Sequence, residues 1–147
     1  MPEKTIESCN VKRLEILDEK GNADESLMPP LSDEQIKKIY ELLVLSRTFD
    51  QRALNLQREG RLGTYASILG QEASQIGSAF ALEKSDWIFP SFREMGVYIT
   101  MGYPLHMLFQ YWSGDERGVK CPEDLNIFPV CVPVGTQVPH AVGAAMG

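Results

Sequence analysis

Three runs in this chain carry residue types that could do chemistry. In Ile88-Phe89-Pro90-Ser91-Phe92-Arg93-Glu94, a short strand ends, a turn follows, and an arginine stands at the start of a helix. In α/β proteins ligands sit beyond the carboxyl ends of strands. A helix start offers free N–H groups to an anion. Arg93 adds a permanently charged fork suited to phosphate, and a charged hydrogen bond of that kind contributes roughly 1.5–3 kcal/mol. On pattern alone, a surface pair of Arg93 with Glu94 or Glu83 is the commoner outcome. The second run is Cys131-Val132-Pro133-Val134-Gly135-Thr136-Gln137-Val138-Pro139. Extended backbone before a helix leaves N–H and C=O groups that could bond the edge of a flat heterocycle, although a plain core strand and turn is again the commoner outcome. The third is Gly60-Arg61-Leu62-Gly63-Thr64-Tyr65-Ala66 followed by Gly70-Gln71-Glu72-Ala73. Gly70 allows a tight helix entry and Glu72 complements the dipole of the first turn, which needs no ligand.

The elements that must position these runs are mostly helical. Residues 1–30 read as a charged arm with a turn at Glu19-Lys20-Gly21-Asn22, a short hairpin there, and an extended end at Pro29-Pro30. Residues 31–147 read as one further unit. Ser32 and Gln35 have capping-box spacing. Behind them Ile36, Ile39, Tyr40, Leu43, Val44 and Phe49 repeat at helical intervals, and the pattern runs to Gly60. Gly60 to Gly63 break it. A second helix from Gln71 to about Leu82 is built from Ala73, Ser74, Gly77, Ser78 and Ala79, small enough to let another backbone approach. Asp86 to Phe89 read as a short buried strand stopped by Pro90. Helical patterns follow at 92–101 and 104–112, a polar loop at 113–127, and an extended apolar run at 128–135 whose two prolines cannot sit in mid-sheet. A last helix of small residues starts near Thr136. The chain ends inside that apolar pattern, which reads as truncation of a longer domain.

Composition narrows the function classes. The chain has 147 residues, 44% of them hydrophobic, enough for one globular domain. A net charge of −6 argues against non-specific binding to nucleic acid or to an acidic membrane surface. Cys9, Cys121 and Cys131 are odd in number and lack CxxC spacing, so neither a disulfide framework nor a zinc site is expected. A reducing, cytoplasmic location fits, and no signal-peptide core or long apolar span occurs.

Taken in order, Arg47…Asp50…Arg52, Gly60-Arg61-Leu62-Gly63, Gly70-Gln71-Glu72-Ala73, Phe92-Arg93-Glu94 and Val134-Gly135-Thr136-Gln137-Val138-Pro139 resemble the alpha subunits of thiamine-diphosphate-dependent 2-oxoacid dehydrogenases, the pyruvate and branched-chain enzymes. The resemblance covers about residues 30–147. It implies an α/β fold, the thiamine-diphosphate-binding parallel sheet flanked by helices, of which this chain is the mostly helical N-terminal portion. It also implies a heterotetramer of two alpha and two beta subunits with the cofactor between them, acting on a small 2-oxoacid and serving a lipoyl-bearing acyltransferase. Phe92 and Arg93 would contact the cofactor, with Arg93 on the diphosphate. Phe92 stands where the family often has tyrosine, so a hydroxyl contact is lost there. The backbone of Val132 and Val134 would meet the aminopyrimidine. Branched-chain members hold a potassium ion beside this run. Cys131, Pro133, Thr136 and Gln137 match its positions, with sulfur replacing a hard oxygen at Cys131.

The family's magnesium motif, Gly-Asp-Gly followed by an asparagine, and its loop histidine do not occur in this sequence, so Mg2+ ligands are expected beyond this segment. No catalytic residue is expected here, because the base is a beta-subunit glutamate, and this segment alone is expected to be inactive. His106 and His140 read as structural. Thr64 stands where many members carry phenylalanine, while Glu94 and Gly96 lean toward the branched-chain members. The alternative is a non-catalytic helical interaction module, with Gly143 and Gly147 allowing close helix contact.

Overall fold

The computed structural model describes residues 5–147. The chain divides into two compact units, Met1–Ser32 and Asp33–Gly147. Among its described residues the first has little regular structure. Its described part turns at Gly21, whose φ of +84° suits glycine, and a single antiparallel bridge joins Leu17 to Ala23. The Asp18 carboxylate closes the turn by accepting from the amides of Lys20 and Asn22 at 2.9 and 2.8 Å. The expected hairpin is therefore one rung wide.

The second unit contains five α-helices: α1 Asp33–Arg58, α2 Glu72–Phe80, α3 Met95–Thr100, α4 Leu105–Trp112 and α5 Gln137–Met146, with a 3-10 turn at Glu116–Val119. α1 begins directly after Ser32 and ends before the positive-φ Gly60. Its buried positions are Leu42, Ser46, Phe49, Asp50 and Ala53. Their spacing of four, three, one and three residues makes one stripe down the helix. The expected stripe is rotated relative to this one, since Ile36, Tyr40 and Val44 are exposed. Two polar side chains, Ser46 and Asp50, occupy the inward face instead.

Around that face Phe49, Leu62, Tyr65, Ile68, Ile76, Met95, Tyr98 and Leu108 form the core. The Phe49 and Phe109 rings lie 4.5 Å apart, tilted by 35°, and Tyr65 meets Trp112 edge-on at 5.3 Å, a geometry that adds to area burial. Where α2 and α3 meet, the close approach is made at Gly96 of α3 rather than at the small residues of α2. A methyl placed at Gly96 would lie 3.0 Å from Gln75 Oε1, while Gly77 faces open space.

No strand forms among the described residues. The stretch expected as a strand contributes one parallel bridge, Ile88 to Ile127. The Ile88 amide donates to Asn126 O and the Phe128 amide to Ile88 O, both at 2.9 Å. Pro90 and Pro129 follow directly on the two segments, and neither has an N–H to continue a ladder. The apolar, small-residue pattern of α5 suits a buried helix, but none of its residues is buried. Gly143 and Gly147 meet no other element. No helix among the described residues is long and apolar enough to cross a membrane.

Candidate functional site

The loop holding Arg93 is built from α1 outward. Asp50 is fully buried. Its Oδ1 accepts from the Tyr65 hydroxyl and the Ile68 amide, each at 2.8 Å, and its Oδ2 accepts from the Ser67 hydroxyl at 2.8 Å. A buried carboxylate is costly unless its oxygens are bonded. Here three donors from one four-residue turn meet that need. Burial and the Asp50 bond push the Tyr65 phenol well above its ordinary pKa, while the charge of Arg93 acts the other way. The Ser67 carbonyl then accepts from Arg93 Nε at 2.5 Å.

That bond fixes the inner edge of the guanidinium. Arg93 is exposed and makes no ion pair among the described residues. The surface pairing with Glu94 or Glu83 does not occur. Glu94 turns its carboxylate back onto the Arg93 amide at 3.0 Å, and the Glu83 amide is bonded to Asp86. The two terminal nitrogens of Arg93 are left as outward donors.

The expected helix start is displaced. α3 begins at Met95, because Glu94 has φ −94° and ψ 42°, outside helical geometry. Arg93 thus lies in the turn before the helix. α3 does not offer a row of free amides: Gly96 N is bonded to Gln75 Oε1 at 2.9 Å, and Val97 N to Glu94 O at 3.0 Å. Gln75 Nε2 also donates to Arg93 O at 2.9 Å, so one glutamine side chain from α2 ties the turn to α3.

The second expected segment lies beside the first. Cys131 N donates to Ser91 O at 3.1 Å, which links the Phe92-Arg93 turn to the Val132-Val134 run. Phe92 is half-buried, and Val132 and Val134 are exposed. No hydrogen bond within the described residues uses the backbone groups of Val132 or Val134, so their polar atoms are left unspent. Together the Arg93 fork and this edge can present donors to an anion and mixed donors and acceptors to a planar ring. These residues fit a phosphate-bearing heterocyclic cofactor.

The four positions expected around potassium close on themselves. Thr136 Oγ1 donates to Pro133 O at 2.8 Å, so the Cys131 thiol is the donor in its 2.9 Å contact with Thr136. Gln137 Oε1 accepts from Gly135 N at 3.0 Å. The turn uses its own oxygens and adds a protonated thiol, a soft group, so this arrangement does not fit a hard cation. No group of three or more His, Cys, Asp or Glu residues that could hold a metal converges among the described residues. His140 lies with Phe89, Pro90 and Cys131 around a small recess, and His106 on α4 lies with Leu62 and Phe109 around another.

An ion pair joins α1 to the start of α2. Arg47 Nε bonds Glu72 Oε1 at 2.6 Å, and the Gly70 amide bonds Glu72 Oε2 at 2.8 Å. The bond to Arg47 holds the Glu72 carboxyl below the ordinary carboxylate range. Of the residues that matter for this geometry, sequence reading misses Asp50, Ser67 and Gln75 as positioning groups. The signal that could have found Asp50 is a carboxylate beside Phe49 and three residues before Ala53, on the inner face of a long helix. Gly96 packs against the Gln75 side chain, and Thr64 is exposed.

Residues 40–147 match the family model for the dehydrogenase E1 component. Among curated proteins, the pyruvate dehydrogenase E1 component subunit alpha of Bacillus subtilis is 42% identical over 134 residues, covering 90% of this chain and 36% of that protein. The protein of the same name from Bacillus cereus is 42% identical over 141 residues, 95% of this chain and 38% of its own length. The one from Staphylococcus aureus is 43% identical over 133 residues, 90% and 36%. The chain therefore spans little more than a third of the length of these relatives.

Proposed function

Because the chain belongs to the dehydrogenase E1 component family, we propose that it is the N-terminal portion of a 2-oxoacid dehydrogenase alpha subunit, and that it supplies half of a thiamine diphosphate site. The observation carrying this reading is the disposition of Arg93. Its Nε is anchored on Ser67 O, its outer nitrogens are unpaired, and the Cys131–Ser91 bond sets it beside the open backbone of Val132 and Val134.

In this reading Arg93 holds the diphosphate in a two-pronged grip. Val132 and Val134 orient the aminopyrimidine through backbone groups, and Phe92 packs against the cofactor. When bound, thiamine diphosphate supplies the electron sink for decarboxylation. Residues elsewhere hold Mg2+. Potassium has no part, given the closed turn at Cys131–Gln137. The intact subunit pairs with a beta subunit as a heterotetramer, acts on a 2-oxoacid, and delivers the acyl group to a lipoyl-bearing acyltransferase in the cytoplasm. Pyruvate is the substrate to test first, since the relatives quoted above carry that name. The whole protein adopts the α/β thiamine-diphosphate-binding fold, in which the Ile88–Ile127 bridge is the start of a parallel sheet completed by other residues.

The test is Arg93→Ala in the full-length subunit assembled with its beta partner. Losing a charged two-pronged contact raises the thiamine diphosphate Kd by about tenfold or more, while kcat at saturating cofactor changes little. An unchanged Kd in a cofactor titration overturns the reading.

A further inference from the structure

The buried carboxylate of Asp50 makes no hydrogen bond to Arg93 itself. It lies on α1, outside the Arg93 turn, and is fully buried. Yet every polar contact that it makes is to the segment that holds Arg93. Tyr65, Ser67 and Ile68 donate to it at 2.8 Å each. The next bond outward, from Ser67 O, is the one to Arg93 Nε.

We propose that Asp50 is a positioning residue for the anion-binding arginine: it fixes the Tyr65–Ile68 turn, and through the Ser67 carbonyl it sets where the Arg93 fork points. This deepens the diphosphate-site reading and rests on it. The physical reason lies in the exposure of Arg93. A solvent-exposed arginine samples many rotamers, and ordering it on binding costs conformational entropy. An Nε bond to a fixed carbonyl removes much of that freedom beforehand. The carbonyl is fixed only if its turn is, and the turn has the following handle. One rigid helix presents two carboxylate oxygens that hold residue 65 by its side chain, residue 67 by its side chain and residue 68 by its backbone. The oxygens are satisfied only in this arrangement, because a released turn would strand a charge in the core.

Coupling between Asp50 and Arg93 distinguishes a positioning role from a merely structural one. Kd for thiamine diphosphate is measured by quenching of tryptophan fluorescence on the full-length subunit with its partner, for Asp50→Ala, Arg93→Ala and the double variant. Asp50→Ala is expected to weaken binding about tenfold in the parent and less than about twofold in the Arg93→Ala background, the non-additivity of groups acting in series. Asp50→Asn keeps Oδ1 for Tyr65 and Ile68 and turns an N–H to the Ser67 hydroxyl, which can accept. It is therefore expected to restore affinity to within about threefold of the parent. Should Asp50→Ala fail to fold, Ser67→Ala removes one of the three donors with little change of volume and is expected to weaken binding about threefold.

Additive effects of Asp50→Ala and Arg93→Ala overturn the proposal. So does parental affinity in Asp50→Ala, or in Ser67→Ala if that is the variant that folds. Tighter binding in Asp50→Asn also overturns it, because it would mean that the carboxylate acts only as a nearby repelling charge. If Arg93→Ala alone leaves Kd unchanged, the diphosphate reading itself falls, a pattern distinct from failure of the Asp50 link.

Discussion

The Cys131 amide donates to the Ser91 carbonyl at 3.1 Å. That bond joins two segments forty residues apart and brings an outward arginine beside an extended edge with unspent backbone groups. The two segments are also parallel neighbours through Ile88 and Ile127. Two short contacts, rather than a sheet, hold the two parts of the candidate site in register.

Gly118 should be the least replaceable glycine of the second unit. A methyl there would fall 2.2 Å from Tyr111 N and 2.6 Å from Met107 O, both backbone atoms of α4. The 3-10 turn would have to lift from α4, at a cost of about 3 kcal/mol or more. Gly96→Ala meets the Gln75 side chain instead, and helix propensity offsets part of the clash, so a cost of about 1–2 kcal/mol is expected. Chemical denaturation of both variants checks the ranking. Equal midpoints would contradict it.

Glu72 should make the fold acid-sensitive. Its carboxyl is held below the usual value of 4.5 chiefly by Arg47, with a bond from the Gly70 amide adding to the effect. The folded pKa is the lower one. The stabilisation is therefore fully present above the unfolded pKa and is lost as pH falls through the folded value. Thermal melts of the parent should decline below about pH 4.5, and Glu72→Gln should show a shallower decline. Identical slopes for the two proteins would exclude Glu72 as the source.

Tyr103 should act at the other end of the scale. Burial pushes its phenol up from 10.0 to about 12, and its hydroxyl donates to Lys120 O at 3.1 Å. Here the folded pKa is the higher one, so the contribution is complete below pH 10 and falls away as pH rises from about 10 to 12. Tyr103→Phe should flatten that alkaline limb while losing the hydrogen bond at all pH values. Stability followed by circular dichroism across this range tests both effects.

Local patterns in the sequence predict α1, the break at Gly60–Gly63, the small second helix and the extended approach to α5. Each depends on neighbours in the chain: apolar period, glycine and proline. The orientation of α1 was not legible, because Ser46 and Asp50 belong inside only once Tyr65, Ser67 and Ile68 fold back upon them. The strand expected at 86–89 shrinks to one bridge, since apolar runs that short take their length from partners, and here both segments run into proline. Arg93, Val132 and Val134 were readable as candidates from residue type and motif order. What holds them was not, because Ser67 and Cys131 contribute backbone atoms whose identity leaves no mark in the sequence.

The bareness of α5 has a consequence for how the chain holds together in time. A helix of ten residues with no buried side chain gains little from tertiary packing, and isolated helices of that length are marginal in water. Its amides are expected to exchange with solvent far sooner than those of α1 around Phe49 and Ala53. Whatever covers Val138, Val142 and Met146 in the working protein therefore also sets how long the helix beside Val132 and Val134 persists between openings.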